Sequence, residues 1–155
     1  MRRTDREIKN FSDILSIINK CKVFRLAINA PDAPYIVPLN FGFAVEDEKV
    51  VFYFHCAKNG RKLELLRTDA RVGFEMDTEH ELVEAEKACK YTFRYASVIG
   101  TGVVEFLEGE EKKTALSCIM RHQTGREFSF DDKSVENVVL CRVKVLSLSA
   151  KASRG

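Results

Sequence analysis

The sequence lacks several features that would assign a function class at once. It has no tryptophan, only three prolines, and five scattered cysteines that form no C-x-x-C pair. An odd set of this kind fits free thiols in a reducing compartment better than a disulfide or zinc framework. No internal repeat, P-loop, nucleophile elbow or H-E-x-x-H motif is present.

Charge and hydropathy argue against two further classes of protein, those that bind nucleic acid and those that span a membrane. Lys and Arg number 25 against 23 Asp and Glu, a formal net charge of +2, which gives no long-range field for gripping nucleic acid. The longest stretch without a charged residue spans residues 33–45, short of the roughly 20 that a bilayer requires. No apolar run follows the basic N-terminus, so we expect no secretory signal and a cytoplasmic protein without nucleic-acid or membrane partners.

The chain has the length and composition of one globular domain. It contains 155 residues, of which 45% are hydrophobic and 31% charged, so it can bury a stable core without disulfide bonds or a structural metal. We expect a single domain over residues 1–155, with 151–155 as a flexible tail.

The hydrophobic pattern predicts a mainly β protein with flanking helices. A capping box of Thr4 and Glu7 predicts a first helix that ends near Lys20. Alternating, β-branched and aromatic runs predict six strands, at 23–29, 35–45, 50–55, 71–77, 91–107 and 138–148. Further helices are predicted at 61–67 and 110–122, the latter stopped by Gly125.

The order of these elements favours an antiparallel barrel. Strands that follow one another through tight turns pair antiparallel, and a sheet of about six strands at this length tends to close. The hairpin between the second and third strands has a four-residue polar loop, 46–49. Gly100 and Gly102 predict a bulge or sharp bend in the long fifth strand.

The segment FHCAKNGRKL (54–63) places three cations around the start of a predicted helix: Lys58, Arg61 and Lys62. That end of a helix already carries about half a positive charge from its aligned peptide dipoles. The conflict disappears if an anion, most naturally a phosphate monoester, binds there. A solvated basic turn is the alternative interpretation.

Two neighbouring segments fit a ligand pocket. His55 ends a strand directly before the basic turn, whereas His80 and His122 have no such neighbours and we expect no site there. Pro38 removes one ladder donor from its strand, and Asn40 could offer a donor and an acceptor to a planar heterocycle. A protected edge strand explains the proline equally well.

Two other patterns resemble sites less closely. Residues 75–81, EMDTEHE, alternate acidic side chains as a solvent-facing strand does and lack a defined ligand spacing, so we predict no metal site. Gly100-Thr101-Gly102 has no third glycine and no helix after it, so it is not a dinucleotide fingerprint.

Four segments together resemble the Nim-type nitroimidazole-resistance proteins, which belong to the pyridoxamine-phosphate-oxidase-like flavoproteins. They are YIVPL (35–39), YFHCAK (53–58), GRKL (60–63) and SVIG (97–100), within a resemblance that spans residues 8–148. The resemblance implies a split β-barrel that forms a homodimer, with FMN held between the two subunits. The C-terminal W…R-x-H signature of true pyridoxamine-phosphate oxidases is missing, so vitamin B6 oxidation is not expected.

The resemblance also implies a set of site residues. The FMN phosphate would bind Lys58, Arg61 and Lys62, and His55 would lie beside the flavin as the catalytic candidate. The remaining cofactor contacts that it implies are Pro38, Leu39, Asn40, Cys56 and, from the partner subunit, Tyr95, Ser97 and Val98. Relatives commonly have arginine where this chain has Ala96, which leaves that contact open.

Three functions follow as hypotheses. The first is an FMN-dependent oxidoreductase that passes electrons from NADH or NADPH to a small acceptor such as a nitroaromatic, with His55 orienting or donating a proton. The second is a non-catalytic flavin- or haem-binding carrier or sensor, with His55 as an axial ligand. The third is a structural dimer whose ligand site has decayed.

Overall fold

The computed structural model describes residues 3–153 and confirms a mainly β fold with flanking helices. Its strands are β1 (Glu7–Ile8), β2 (Val23–Ile28), β3 (Tyr35–Asn40), β4 (Gly42–Glu46), β5 (Lys49–Cys56), β6 (Arg71–Val83), β7 (Thr92–Phe106) and β8 (Val139–Ser153). Its α-helices are α1 (Phe11–Lys20), α2 (Arg61–Thr68), α3 (Glu110–Thr124) and α4 (Asp132–Glu136). None of the helices between residues 3 and 153 combines the length and apolar character needed to cross a membrane.

The predicted start of the first helix is wrong. Thr4–Arg6 is a single 3₁₀ turn, and Glu7–Ile8 pairs with the C-terminal end of β8. The helix begins at Phe11, because the Asn10 side chain accepts a hydrogen bond from the Ser12 amide. The pairing with β8 therefore overrides the local capping signal of Thr4 and Glu7.

All strand pairs are antiparallel, in the order β3-β2-β6-β7-β8-β5-β4, and β1 pairs with β8. The predicted strand at 35–45 is two strands, since the chain leaves the sheet at Phe41. β3 then pairs with β2 and β4 with β5, at opposite ends of the strand order. This corner joins the two ends of the curled sheet and adds a seventh strand, and the short β1 is the eighth, where about six were predicted.

The hairpin turn is shorter than predicted. β4 and β5 pair as far as Glu46 and Lys49, so only two residues form the loop. Asp47 and Glu48 adopt φ values of 47° and 60°, the left-handed conformation at both central positions that a type I′ turn requires.

The barrel interior holds the main core. Phe24, Phe41, Phe52 and Phe54 are completely buried, and their rings pack at centroid distances of 5.2 to 6.0 Å. A second apolar cluster lies on the outer face of β5, where α3 covers Val51 and Tyr53.

The long hairpin of β6 and β7 confirms the glycine prediction. The register with β8 shifts between Thr101 and Gly102, and a Cβ on Gly100 would lie 2.3 Å from both the Phe74 ring and the Ser147 carbonyl oxygen. Gly125 ends α3 with φ 72°, as predicted.

The predicted flexible tail is wrong as far as residue 153. Lys151, Ala152 and Ser153 continue β8 and pair with residues 95–97 of β7, because this sheet edge offers unpaired backbone groups that the tail satisfies. The last two residues of that prediction lie outside the described ones.

Candidate functional site

The predicted anion site lies where β5 turns into α2. Gly60 precedes the helix with φ 128° and ψ 161°, a conformation that favours glycine. Its carbonyl accepts the amides of Leu63 and Glu64 at 3.0 and 3.2 Å. No side chain caps the helix, so the first amides of α2 are open to a ligand.

The three cations of this corner have no carboxylate partners. Within residues 3–153, no Asp or Glu oxygen lies within 4.0 Å of the side-chain nitrogens of Lys58, Arg61 or Lys62. Lys58 and Arg61 are exposed and Lys62 is half-buried. Positive charge at an uncapped helix start without counter-charge is the arrangement that a bound phosphate stabilises.

Aromatic rings hold two of these cations in place. The Arg61 guanidinium carbon lies 5.0 Å from the centroid of the Tyr35 ring. The Lys62 Nζ lies 5.8 Å from the centroid of the Phe54 ring. These cation–π contacts link α2 to the start of β3 and the end of β5.

His55 is exposed on the outer face of β5, next to the basic turn. Its backbone pairs with Leu140 of β8. Partial desolvation by the surrounding protein, and next the positive charge of Lys62, lower the pKa of His55. Its imidazole is therefore neutral at pH 7 and able to donate or accept a proton.

β3 offers a free edge beside this corner. It pairs with β2 alone among the described strands, and Pro38 and Asn40 are exposed on it. The Asn40 Nδ2 donates to the Lys22 carbonyl oxygen and to the Gln123 Oε1, both at 3.2 Å. Its donor capacity is therefore used within the protein, and its oxygen remains.

Three predicted contact residues turn their side chains into the barrel. Leu39 packs against the core, Cys56 is 6% exposed and Val98 is completely buried. Cys56 and Val98 can reach a ligand only through their backbone, whereas Leu39 is half-buried. A hydrogen bond from the Cys141 thiol lowers the pKa of Cys56 to about 7, against the opposing effect of burial.

The segment of β7 that the resemblance assigns to the partner subunit lies elsewhere on the chain. Ser97 is buried and pairs with Asp77 and Lys151. A hydrogen bond from Arg6, with the charge of Lys151, lowers the pKa of Tyr95. Ala96 is 1% exposed and faces the core, so this position presents no side chain to a ligand.

The predicted residues of the α2 corner and those of β7 lie beside opposite ends of β8. Cys56 pairs with Val139, and Ser97 pairs with Lys151, twelve residues further along β8. At roughly 3.3 Å per residue this is a path of about 40 Å along one strand. The two groups are therefore separated by most of the length of β8.

The acidic run of β6 forms ion pairs rather than a ligand cluster. Arg25 Nη1 contacts Glu75 at 3.1 Å and Asp77 at 2.6 Å, and His80 contacts Asp77 at 2.6 Å. Nowhere in residues 3–153 are three or more His, Cys, Asp and Glu side chains arranged to hold a metal ion.

The sequence prediction missed two residues at this site, Tyr35 and Gln123. Tyr35 stood within a quoted motif, but its contact with Arg61 depends on the packing of α2 against β3. Gln123 lies more than eighty residues from Asn40, and no local pattern connects them.

Residues 11–152 match the family described as pyridoxamine 5'-phosphate oxidase. The chain belongs to this family. No curated protein matches it. Among solved structures, it is similar to a candidate 5-nitroimidazole antibiotic resistance protein from Bacteroides thetaiotaomicron, at 35% identity and a TM-score of 0.81, covering 94% of this chain and 86% of that one.

Two more distant structures share the fold. A FAD- and haem-binding protein from Mycobacterium smegmatis is 18% identical, with a TM-score of 0.80 over 97% of this chain and 74% of that one. A flavocytochrome from Azotobacter vinelandii is 17% identical, with a TM-score of 0.79 over 100% and 72%. The split-barrel fold predicted from the resemblance is thus confirmed, and its neighbours include proteins named for flavin and haem.

Proposed function

We propose that this protein is a homodimeric, FMN-dependent oxidoreductase that reduces a small acceptor, such as a nitroaromatic, with NADH or NADPH. The observation that carries the proposal is the group of three cations at the uncapped start of α2, none of which has a carboxylate partner among the described residues. A phosphate monoester supplies the missing counter-charge and accepts from the open amides. The corner therefore fits the end of a mononucleotide.

The position of β3 extends this fit to the flavin ring. Its free edge begins at Tyr35, beside Arg61, and ends at Asn40. At roughly 3.3 Å per residue the strand covers about 17 Å, long enough to accompany a mononucleotide from its phosphate to its ring. The two exposed residues Pro38 and Asn40 lie in the ring half of this path.

His55 is the candidate for chemistry on the acceptor. When bound, the flavin supplies the redox step, a hydride taken from a reduced nicotinamide and electrons delivered to the acceptor. His55 is neutral at pH 7 because its pKa is lowered, and it is exposed beside the anion site. We assign it to orienting the acceptor or donating a proton to it.

The separation of the two residue groups supports a dimer. Residues at the α2 corner and residues 95–98 of β7 lie beside opposite ends of β8, so we expect a second chain to complete a site that uses both groups. An outer face of the sheet is available for this association, since Ile36, Ile99 and Leu146 are 62%, 49% and 70% exposed. Apolar surface of this kind favours a protein partner.

The test compares FMN with riboflavin, which carries the same ring without the phosphate. The purified protein is titrated with each, and binding is followed by flavin fluorescence. We expect FMN to bind at least about tenfold more tightly, since charge-assisted contacts to the phosphate contribute about 1.5–3 kcal/mol. Failure to bind either flavin would remove the proposal, and equal affinities would remove the phosphate assignment.

A non-catalytic flavin- or haem-binding carrier or sensor is the second candidate. The observation in its favour is the exposed, neutral His55 imidazole, which could ligate haem iron, on a fold whose neighbours include two proteins named for haem. An absorption spectrum after addition of haem distinguishes it by a single intense Soret band. Turnover of NADH or NADPH with a nitroimidazole then separates the enzyme from the carrier.

A further inference from the structure

We infer that Gln123 is a positioning residue that fixes the polarity of Asn40, so that this side chain presents only a hydrogen-bond acceptor to the flavin ring. The inference rests on the proposed function and deepens it. It assigns to Asn40 the recognition of a ring N–H, and to α3 a part in cofactor selection.

Two backbone carbonyls determine how the Gln123 amide is oriented. Its Nε2 donates to the carbonyl oxygens of Phe41 at 2.8 Å and Lys22 at 3.1 Å. A carbonyl can only accept, so the nitrogen must lie on that side. The Gln123 Oε1 therefore faces Asn40.

The same logic then determines the orientation of Asn40. Its Nδ2 contacts the Lys22 carbonyl oxygen and the Gln123 Oε1, both at 3.2 Å, and both of these atoms are acceptors. Its two N–H groups are thus committed. The Asn40 Oδ1 has no hydrogen-bond donor within the described part of the chain and belongs to an exposed residue.

Further contacts of α3 hold the β3–β4 corner in place, so the Asn40 amide cannot easily change its orientation. The His122 Nε2 lies 2.8 Å from the Cys21 carbonyl oxygen, and the His122 ring lies 4.6 Å from that of Phe41. The Cys118 thiol donates to the Phe43 carbonyl oxygen at 3.0 Å. A Cβ on Gly42 would lie 2.5 Å from the Ile119 amide nitrogen, so helix and corner are in direct backbone contact.

The pyrimidine edge of an isoalloxazine alternates carbonyl oxygens with a single N–H, at ring position 3. An amide that offers only its oxygen can bind that N–H and is repelled by the adjacent carbonyls. From the sequence alone, the Asn40 side chain could both donate and accept a hydrogen bond. The fold leaves only the acceptor, because the Lys22 carbonyl oxygen and the Gln123 side chain together take both N–H groups.

The test uses 3-methyl-FMN, which keeps the phosphate and the ring carbonyls but lacks the N–H. We expect the unmodified protein to bind FMN about tenfold more tightly than 3-methyl-FMN, the value of one hydrogen bond. Asn40→Ala should bring the two affinities within about twofold of each other. Gln123→Leu should reduce the preference at least threefold, because the Lys22 carbonyl oxygen alone then holds the Asn40 nitrogen.

A rescue separates positioning from a general effect on folding. Both oxygens of an aspartate accept, and without Gln123 only the Lys22 carbonyl oxygen opposes them, so Gln123→Leu combined with Asn40→Asp should regain the preference for FMN. A merely structural role of Gln123 would not be rescued in this way. Asn40→Ala tests the acceptor even where Gln123→Leu does not fold. The control Asn137→Ala, exposed at the end of α4, should leave the preference unchanged.

The outcomes separate this inference from the proposed function. An unmodified protein that binds neither flavin contradicts the proposed function. An unmodified protein that binds FMN and 3-methyl-FMN equally well contradicts only the acceptor role of Asn40. A preference that survives Gln123→Leu unchanged in a folded protein contradicts only the role of Gln123.

Discussion

Lys62 shows how a single charge can be unfavourable for the chain and favourable for its ligand. It lies in the first turn of α2, where the helix dipole repels it, yet the Phe54 ring lies 5.8 Å from its Nζ and no carboxylate pairs with it. Folding thus maintains a cation at a helix start where the proposed phosphate would offset the unfavourable dipole.

We predict that Lys62→Ala weakens FMN binding about ten- to a hundredfold, because a charge-assisted contact contributes on the order of 1.5–3 kcal/mol. Riboflavin affinity should change less than about threefold, since that molecule carries no phosphate. Titration by fluorescence quenching measures both. Lys133→Ala, in the exposed first turns of α4, is the matched control, and an equal loss there would contradict the assignment.

His122 is a buried residue whose protonated form is disfavoured in the folded protein. Desolvation lowers its pKa, and the nearby Lys22 charge acts in the same direction. Its Nδ1 is buried without a hydrogen-bond partner among residues 3–153, so a proton added there finds no acceptor in that part of the chain. Below the ordinary histidine pKa of 6.5, the unfolded chain therefore binds a proton that the folded chain does not.

The second prediction follows from this difference in proton binding between the unfolded and the folded chain. The free energy of unfolding should fall as pH decreases below about 6.5, by at most about 1.4 kcal/mol per pH unit for this one proton. Urea denaturation between pH 5 and 8 measures the slope. His122→Gln should be less stable at pH 7.5 but show a shallower decrease, and a slope equal to that of the unmodified protein would contradict the role of His122.

At the scale of elements, the contact between α3 and the β3–β4 corner positions the residues that we propose for the ring half of the site. Gly42 allows the helix backbone to approach the strand directly. This close approach brings Gln123 within hydrogen-bonding distance of Phe41, Lys22 and Asn40.

We therefore predict that Gly42→Ala lowers the free energy of unfolding by about 1–3 kcal/mol, because the new methyl group must displace α3. The ring contacts should loosen, so FMN affinity should fall as well. Gly73→Ala is the control for the free energy of unfolding alone, because Gly73 lies on the outer sheet face proposed for the dimer. Its Cβ would meet only the Ala27 Cβ at 3.7 Å and the Gly100 carbonyl oxygen at 3.9 Å. Urea denaturation that shows equal losses for both variants would contradict the packing explanation.

At the scale of the whole molecule, a row of paired residues across the outer sheet face carries mostly small side chains. Ala27 pairs with Ile36 and Gly73, and Thr101 pairs with Gly73 and Ser147. Exposed Ile99 and Leu146 flank this row. Small residues between apolar ones allow a second sheet face to approach closely, which suits the dimer that the proposed site needs.

The fourth prediction concerns this face. Leu146→Glu combined with Ile99→Glu should give a monomer in light scattering, because two charges would be buried without partners. FMN affinity should fall at least about tenfold at the same protein concentration, since each site would lose the residues of the second chain. Val45→Glu, at a 46% exposed position on the β4–β5 hairpin, should leave both properties unchanged. A monomeric variant that still binds FMN normally would show that one chain is sufficient.

Local patterns in the sequence were sufficient to locate most elements. The alternation of Val72, Phe74 and Met76 predicted β6, and the helix stop at Gly125 was found where expected. The patterns failed where a distant partner decided the outcome, as at Glu7 and at Lys151, which pair with each other. Each of these segments satisfies the backbone of the other, and neither carries a local signal of it.

The sequence by itself determined the β-rich class, the cluster of cations at the start of α2 and the neighbouring His55, because these depend on residue types at short spacing. Only the tertiary structure decided that the chain turns at Phe41, which side chains face the interior, and that the two groups of predicted contacts lie at opposite ends of β8. It also decided the polarity of Asn40, since hydrogen bonds between residues more than eighty positions apart depend on how elements pack. Charge and periodicity are properties of neighbours in sequence, whereas a binding site is formed by neighbours in space.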